Sequence, residues 1–126
     1  MKATPCPCHS GATYQDCCQP WHLGSRAQQS PVQLMRSRYA AYALMLEDYL
    51  LATWHPDTRP SKLGLHEDAP IKWIGLRILR EHVEGDSAIV AFEARYKVNG
   101  KAEKLHESSR FTKLDGAWYY LDASGQ

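Results

Sequence analysis

Cysteine is missing from most of this chain. Only four of the 126 residues are cysteine, and all four fall between positions 6 and 18. Charge of one sign is also lacking. The formal net charge is +1, so bulk electrostatics draws the protein neither to nucleic acid nor to an anionic membrane. No apolar run approaches the roughly 20 residues of a membrane-spanning helix. The first residues lack the basic segment and apolar stretch of a secretory signal. There is no phosphate-binding glycine loop, no zincin pattern, no internal repeat, and no glycine elbow around Ser109 to mark a serine hydrolase. Together these absences lead us to expect a cytoplasmic protein. In a reducing compartment, clustered thiols point to metal binding before disulfides.

What is present suffices for one domain with a small appendage. Hydrophobic residues make up 44% and charged residues 23%, a globular balance with enough apolar material for one core. Residues 1–25 hold the cysteines, with prolines on both sides of Cys6 and a glycine at position 11 favouring tight turns. Trp21 reads as a lid packing this module onto the rest, and residues 24–30 read as a linker. A helix then starts on clear signals: Ser30 at the N-cap, Pro31 at the first turn and Gln33 for a capping box. Met35, Tyr39, Tyr42 and Leu46 form its apolar stripe, with Arg36 and Arg38 off it. Asp48 is placed to cap a second short helix that ends at His55-Pro56.

After a loop over 55–70 the period changes to two. Ile71 to Arg80 reads as a strand with a bulge near Gly75. Glu84-Gly85-Asp86 is a turn, and residues 88–98 alternate cleanly. Asn99-Gly100 is a strong hairpin signal. The returning strand, 102–113, puts Leu105, Glu107, Ser109 and Phe111 on one face. Asp115-Gly116 makes a further hairpin into a strand over 117–121. Helices first and a four-stranded antiparallel meander after them predict an α+β fold, with a helix on one face of a curved sheet.

The cysteines form a C-x-C pair and, eight residues later, an adjacent pair. Zinc takes four tetrahedral ligands and favours thiolate. Cys6 and Cys8 can reach one ion from a turn, and Cys17 and Cys18 can close the site. Four protein ligands leave no open position, the arrangement of a structural zinc. His9 and His22 are the alternates. The competing arrangement is disulfides from Cys17 or Cys18 to Cys6 or Cys8.

Cys6-Pro7-Cys8-His9-Ser10-Gly11, then Tyr14 and Cys17-Cys18, resembles the SEC-C motif, a zinc-binding module also found at the C-terminus of a protein-translocation ATPase. The resemblance implies Cys6, Cys8, Cys17 and Cys18 as ligands. There, basic residues of the module engage a chaperone and ribosomes. Here no lysine or arginine lies between Cys8 and Cys18, so association with ribosome or nucleic acid is not expected. Met35-Arg36-Ser37-Arg38-Tyr39-Ala40-Ala41-Tyr42, Tyr49 to Pro56, His106 to Phe111 and Trp118-Tyr119-Tyr120 resemble the YchJ family, uncharacterised bacterial proteins with an N-terminal SEC-C motif. That resemblance implies a nuclear transport factor 2-like domain, a cone of helices packed into a curved sheet.

These readings divide the chain into a zinc module, 1–25, and a nuclear transport factor 2-like domain, 26–126. A cone of this kind can enclose a cavity, and Tyr39, Tyr42, Trp54, His55, Arg59, Glu107, Ser109 and Trp118 are its candidate lining. A carboxylate at Glu107 among apolar neighbours needs a partner or a proton, and Arg36, Arg38, Arg59 or His55 could supply the partner. The favoured function is a binding protein whose zinc module docks a protein partner. The alternative is a small-molecule binder or enzyme using the cavity around Glu107.

Overall fold

The computed structural model describes residues 4–23, 30–63 and 71–125. The expected linker, apart from Ser30, and the second half of the 55–70 loop lie outside the described residues. After a short 3₁₀ turn at Tyr14–Asp16 come α1 (Gln19–His22), α2 (Pro31–Leu44) and α3 (Glu47–Ala52). Four strands follow: β1 (Ile71–Glu84), β2 (Ser87–Val98), β3 (Lys101–Leu114) and β4 (Ala117–Gly125). They form one antiparallel sheet in the order β1-β2-β3-β4. Helix α2 packs on one face of it, against β1, β2 and β4.

Local chemistry accounts for the element ends. Ser30 Oγ accepts from the Gln33 amide at 3.1 Å and Pro31 fills the first turn. The helix stops at Leu44, because Met45 turns left-handed (φ 62°). Leu46 therefore lies beyond α2 and does not extend its stripe. Leu46 also occupies the N-cap of α3, with no side-chain hydrogen bond, so Asp48 is not the cap expected for it. Asp48 and Glu47 instead sit in the first turn, where negative charge meets the positive end of the helix dipole. The turns at Asn99-Gly100 and Asp115-Gly116 have positive φ at both positions, the geometry that matches the twist of a two-residue hairpin.

The sheet is bent by irregularities in its ladders. Register shifts fall at Trp73/Gly75 and Ile78/Arg80 in β1, and at Arg110/Phe111 between β3 and β4. Each extra residue breaks pairing locally and increases twist. The bulge expected near Gly75 is the first of these. β4 runs to Gly125, longer than the 117–121 expected: its ladder with β3 resumes beyond the register shift and continues to Glu107 opposite Gly125, with Arg110 and Asp122 joined across it in a two-pronged ion pair.

The core is continuous from the cysteine module to the sheet. Cys6, Cys8 and Cys18 belong to the same buried cluster as Leu34, Met35, Tyr39, Val90, Phe92, Phe111 and Trp118. Helix α2 is the reason. The module, α3 and the sheet all pack on it, so Leu34, Ser37, Arg38, Ala40 and Ala41 are buried along with Met35 and Tyr39. Arg38 lies off the apolar stripe, yet it is buried, since that side of α2 is covered by α3 and β4. The Arg38 guanidinium donates to Leu50 O and Thr53 Oγ1, both at 2.7 Å, and stacks on the rings of Tyr120 and Trp54.

Candidate metal centre and cone cavity

The module is wound tightly by its own backbone. The Cys6 amide donates to Ala12 O, the His9 amide to Cys6 O and the Tyr14 amide to Thr4 O. Pro5 and Thr13 form an isolated antiparallel bridge. His9 and Gly11 both take positive φ, 63° and 95°, which lets the chain reverse between the two cysteine pairs. Thr13 Oγ1 accepts from the Asp16 amide and starts the 3₁₀ turn. Cys17 ends that turn, and Cys18 begins α1.

This winding brings four sulfurs together. The Sγ atoms of Cys6, Cys8, Cys17 and Cys18 all lie within 4.8 Å of one another. Cys8 and Cys17 are 3.5 Å apart and Cys17 and Cys18 3.8 Å. All four are free thiols, so the disulfide arrangement is not adopted. A tetrahedron of thiolates around an ion at about 2.3 Å has edges near 3.8 Å, and the cluster fits that size. Its electrostatics also call for a cation. Hydrogen bonding from Cys18, the largest influence, lowers the Cys8 thiol to about 4. The same contact and burial push Cys18 up, and burial pushes Cys6 up to about 11. The group can hold one thiolate among its thiols, and a dication would allow the others to ionise. Ser10 Oγ stands 3.1 Å from Cys17 Sγ, positioned to donate to a thiolate there.

The two histidines named as alternates are not ligands in this arrangement. His9 is exposed, with its ring edge-on to Tyr39. His22 is a strut. Its Nε2 donates to the Ser37 carbonyl at 2.8 Å, which leaves Nδ1 to accept from the Tyr14 hydroxyl at 2.7 Å. The ring also meets Tyr49 edge-on at 4.7 Å. Burial holds its pKa below the ordinary imidazole value. Arg36 adds a second tie, donating to Cys8 O at 3.2 Å. Trp21 is half-buried and shares a shallow groove with Cys17, Cys18, Gln33 and Arg36. Neither His22 nor Arg36 was recognisable as a strut beforehand, because both reach backbone carbonyls distant in sequence.

The cone contains a cavity of about 290 Å³. Helix α2 contributes Met35, Arg38, Tyr39 and Tyr42. The sheet contributes Trp73, Phe92, Ala94, Leu105, Glu107, Ser109, Tyr120 and Ala123. Four of the eight candidate lining residues, Tyr39, Tyr42, Glu107 and Ser109, reach it. Trp54, His55, Arg59 and Trp118 do not. The first three instead fasten the exit of α3 to β4. Trp54 bridges to Tyr120, the His55 amide donates to Tyr120 O, and the Arg59 guanidinium donates to Trp54 O. Trp118 is buried in the core, with the Lys113 ammonium over its ring.

No expected partner meets Glu107. Arg36 and Arg59 are committed to carbonyls, Arg38 to α3, and His55 Nδ1 accepts from the Asp57 amide. Among the described residues its carboxylate has no ion pair, and burial raises its pKa. The Tyr39 hydroxyl is buried without a hydrogen bond. The Gly75 amide lies near enough to favour its ionised form slightly, but burial dominates and pushes it up to about 12.

Among the described residues no helix is long and apolar enough to cross a membrane. Residues 4–20 match the SEC-C motif, and residues 30–123 match the family described as YchJ, middle NTF2-like domain. The chain is 52% identical over 121 residues to a UPF0225 protein of Deinococcus radiodurans, covering 95% of this chain and 88% of that protein. It is 53% identical over 122 residues to a UPF0225 protein of Chromobacterium violaceum, covering 92% and 89%. Its fold superimposes with a TM-score of 0.85 on the solution structure of a SEC-C motif containing protein from Rhodopseudomonas palustris, 37% identical, covering 96% of this chain and 98% of that one. Both family matches and similarity over nearly the full chain agree, and the chain belongs to the YchJ family of UPF0225 proteins.

Proposed function

We propose that Cys6, Cys8, Cys17 and Cys18 hold one zinc ion as a closed structural site, and that the chain is a binding protein whose module docks a protein partner. The convergence of four sulfurs within 4.8 Å carries this reading. Thiolate is the donor zinc favours, and a site with four protein ligands has no position for substrate. Zinc here would brace the loop, with Ser10 donating to a bound thiolate. The two ties from the module, His22 to Ser37 O and Arg36 to Cys8 O, would hold it rigidly against α2, as a docking element requires. Leu23, exposed at the end of α1, offers an apolar contact on its surface.

Two measurements test the two halves. Native mass spectrometry of gently purified protein should find close to one zinc per chain, and Cys8→Ser should lose it; zinc-free wild type, or a variant that keeps its metal, refutes the site. A photo-crosslinking residue at Leu23 should yield one specific protein adduct in cells, absent when Cys8→Ser is combined with it. The same crosslinker at Gly85, in the β1–β2 turn, should yield none. Equal labelling from both positions would count against docking through the module.

A further inference from the structure

We propose that the outer face of the sheet, turned away from α2, binds the phosphate backbone of a nucleic-acid duplex. Side chains alternate between the two faces of a strand, and ladder partners share a face. Val90, Phe92 and Ala94 of β2 are buried in the core, so Ala91, Glu93, Arg95 and Lys97 stand on the other side. Their partners join them there: Arg80 opposite Ala91, Arg77 opposite Glu93, Lys104 opposite Arg95 and Lys72 opposite Lys97. All six lysines and arginines are exposed, and among the described residues of these rows Glu93 alone is acidic. The chain's net charge of +1 conceals this face, because the residues outside it are net negative.

The surplus of positive charge does nothing for the fold. Lys72 faces Lys97 and Arg95 faces Lys104, and like charges directly opposite one another destabilise a ladder. Among the described residues Lys72, Arg77, Arg80 and Lys97 have no ion pair. Glu93 does not neutralise the cluster. Its carboxylate meets Arg95 Nε at 3.5 Å and Lys104 Nζ at 3.9 Å, which fixes both cations and leaves the terminal nitrogens of Arg95 for another acceptor. The Arg95 stem lies against Gly75, and Arg77 and Arg95 flank a shallow groove of about 280 Å³. Two guanidiniums along one groove suit phosphate oxygens. What the face lacks narrows the occupant. These rows hold no Phe, Tyr or Trp, so there is no platform for stacked bases, no anchor for a bilayer interface and none of the aromatic core of a protein interface. Cations placed about 6.7 Å apart along the strands and about 4.8 Å apart across them answer the dense, regular charge of a duplex backbone.

The test uses the full chain and a fluorescein-labelled DNA duplex of about 20 base pairs, followed by anisotropy. With about three or four phosphate contacts, affinity should fall roughly 40- to 150-fold between about 50 and 200 mM salt. Arg77→Gln and Lys97→Gln should each weaken binding whatever the sequence, and each should lower the salt slope by about one. Lys97→Gln should melt no lower than wild type, because it relieves the opposition to Lys72. Lys113→Gln takes a cation from the other face, where Lys113 pairs with the buried Trp118, and should leave the slope unchanged. A single strand of the same length should bind no tighter than the duplex. Tighter binding of the single strand, or equal binding of polyglutamate or of phosphatidylserine vesicles, would overturn the duplex as occupant. No binding at about 50 mM salt, or a slope that neither Arg77→Gln nor Lys97→Gln changes, would overturn the face as the site.

Discussion

Replacing Arg38 by methionine tests how the cone is held together. The substitution keeps a long apolar stem and removes the guanidinium. In the native protein that group makes two hydrogen bonds of 2.7 Å to α3 and lies 4.4 Å from the ring centre of Tyr120 on β4 and 5.2 Å from that of Trp54. Helix α2 is therefore bound to α3 and to the last strand through one side chain. Without it, Leu50 O keeps only a long contact, 3.3 Å, from Thr53 Oγ1. An under-satisfied buried carbonyl costs about 1–3 kcal/mol, and two lost cation–π contacts add roughly 1–2 kcal/mol. Against this, the protein no longer has to bury a charge, which by itself favours the variant. We expect a net loss of about 2–4 kcal/mol, which for a chain of this size lowers the melting temperature by roughly 8–15 °C. Calorimetry on wild type, Arg38→Met and Arg38→Lys measures it. Lysine can donate to Leu50 O or Thr53 but has no planar fork, so it should recover part of the loss. An Arg38→Met protein that melts within about 2 °C of wild type would refute the reasoning, because relief from burying the charge would then equal everything the guanidinium holds.

Further expectations concern the module and the titrating groups. Arg36→Ala removes the tie to Cys8 O and should cost about 1 kcal/mol and speed metal loss to a chelator, measured with a chromogenic zinc dye. Because the cysteines share one core with α2 and the sheet, Cys8→Ser should melt in a single lower transition by circular dichroism, not as a separate loss of the first residues. His22 has a folded pKa held below its unfolded value, chiefly by burial. The unfolded chain therefore binds its proton first, and the stability His22 contributes is whole above the ordinary imidazole pKa and is lost as pH falls toward the folded value. His22→Phe should flatten that part of the stability–pH curve in urea titrations. Glu107 is shifted the other way, raised by burial, so its ionisation works against folding as pH rises past the ordinary carboxylate range. Glu107→Gln should raise the melting temperature near neutrality and leave it unchanged near pH 4, about where both forms are protonated.

The local grammar of this chain was legible without coordinates. Ser30-Pro31 starts a helix because a hydroxyl and a missing amide hydrogen suit its first turn. Asn99-Gly100 and Asp115-Gly116 make hairpins because both residues tolerate positive φ. Alternation over 88–98 gives a strand with one buried face, and the cysteine spacing gives a metal-ligand set. Each of these rests on residues within a few positions of one another. Apart from the left-handed turn at Met45, which ends the α2 stripe before Leu46 and displaces the Asp48 cap, the errors arose where distant segments meet. Arg38 reads as lying off the apolar stripe, with Glu107 as a possible partner, and it pairs with α3 instead. It is buried because α3 and β4 close over it, and nothing in α2 records that. Trp54, His55 and Arg59 have the composition of a pocket, yet their partners are the backbone of β4 and of their own turn. His22 has the chemistry of a ligand, but a carbonyl fifteen residues away claims its Nε2. The sequence by itself determined where α2 and the four strands form and which four thiols come together, since backbone dihedrals and thiol spacing are local properties. Only the tertiary structure decided which polar groups stay unpartnered in the cone, because pairing depends on which side chains the folded chain brings within about 3 Å of each other.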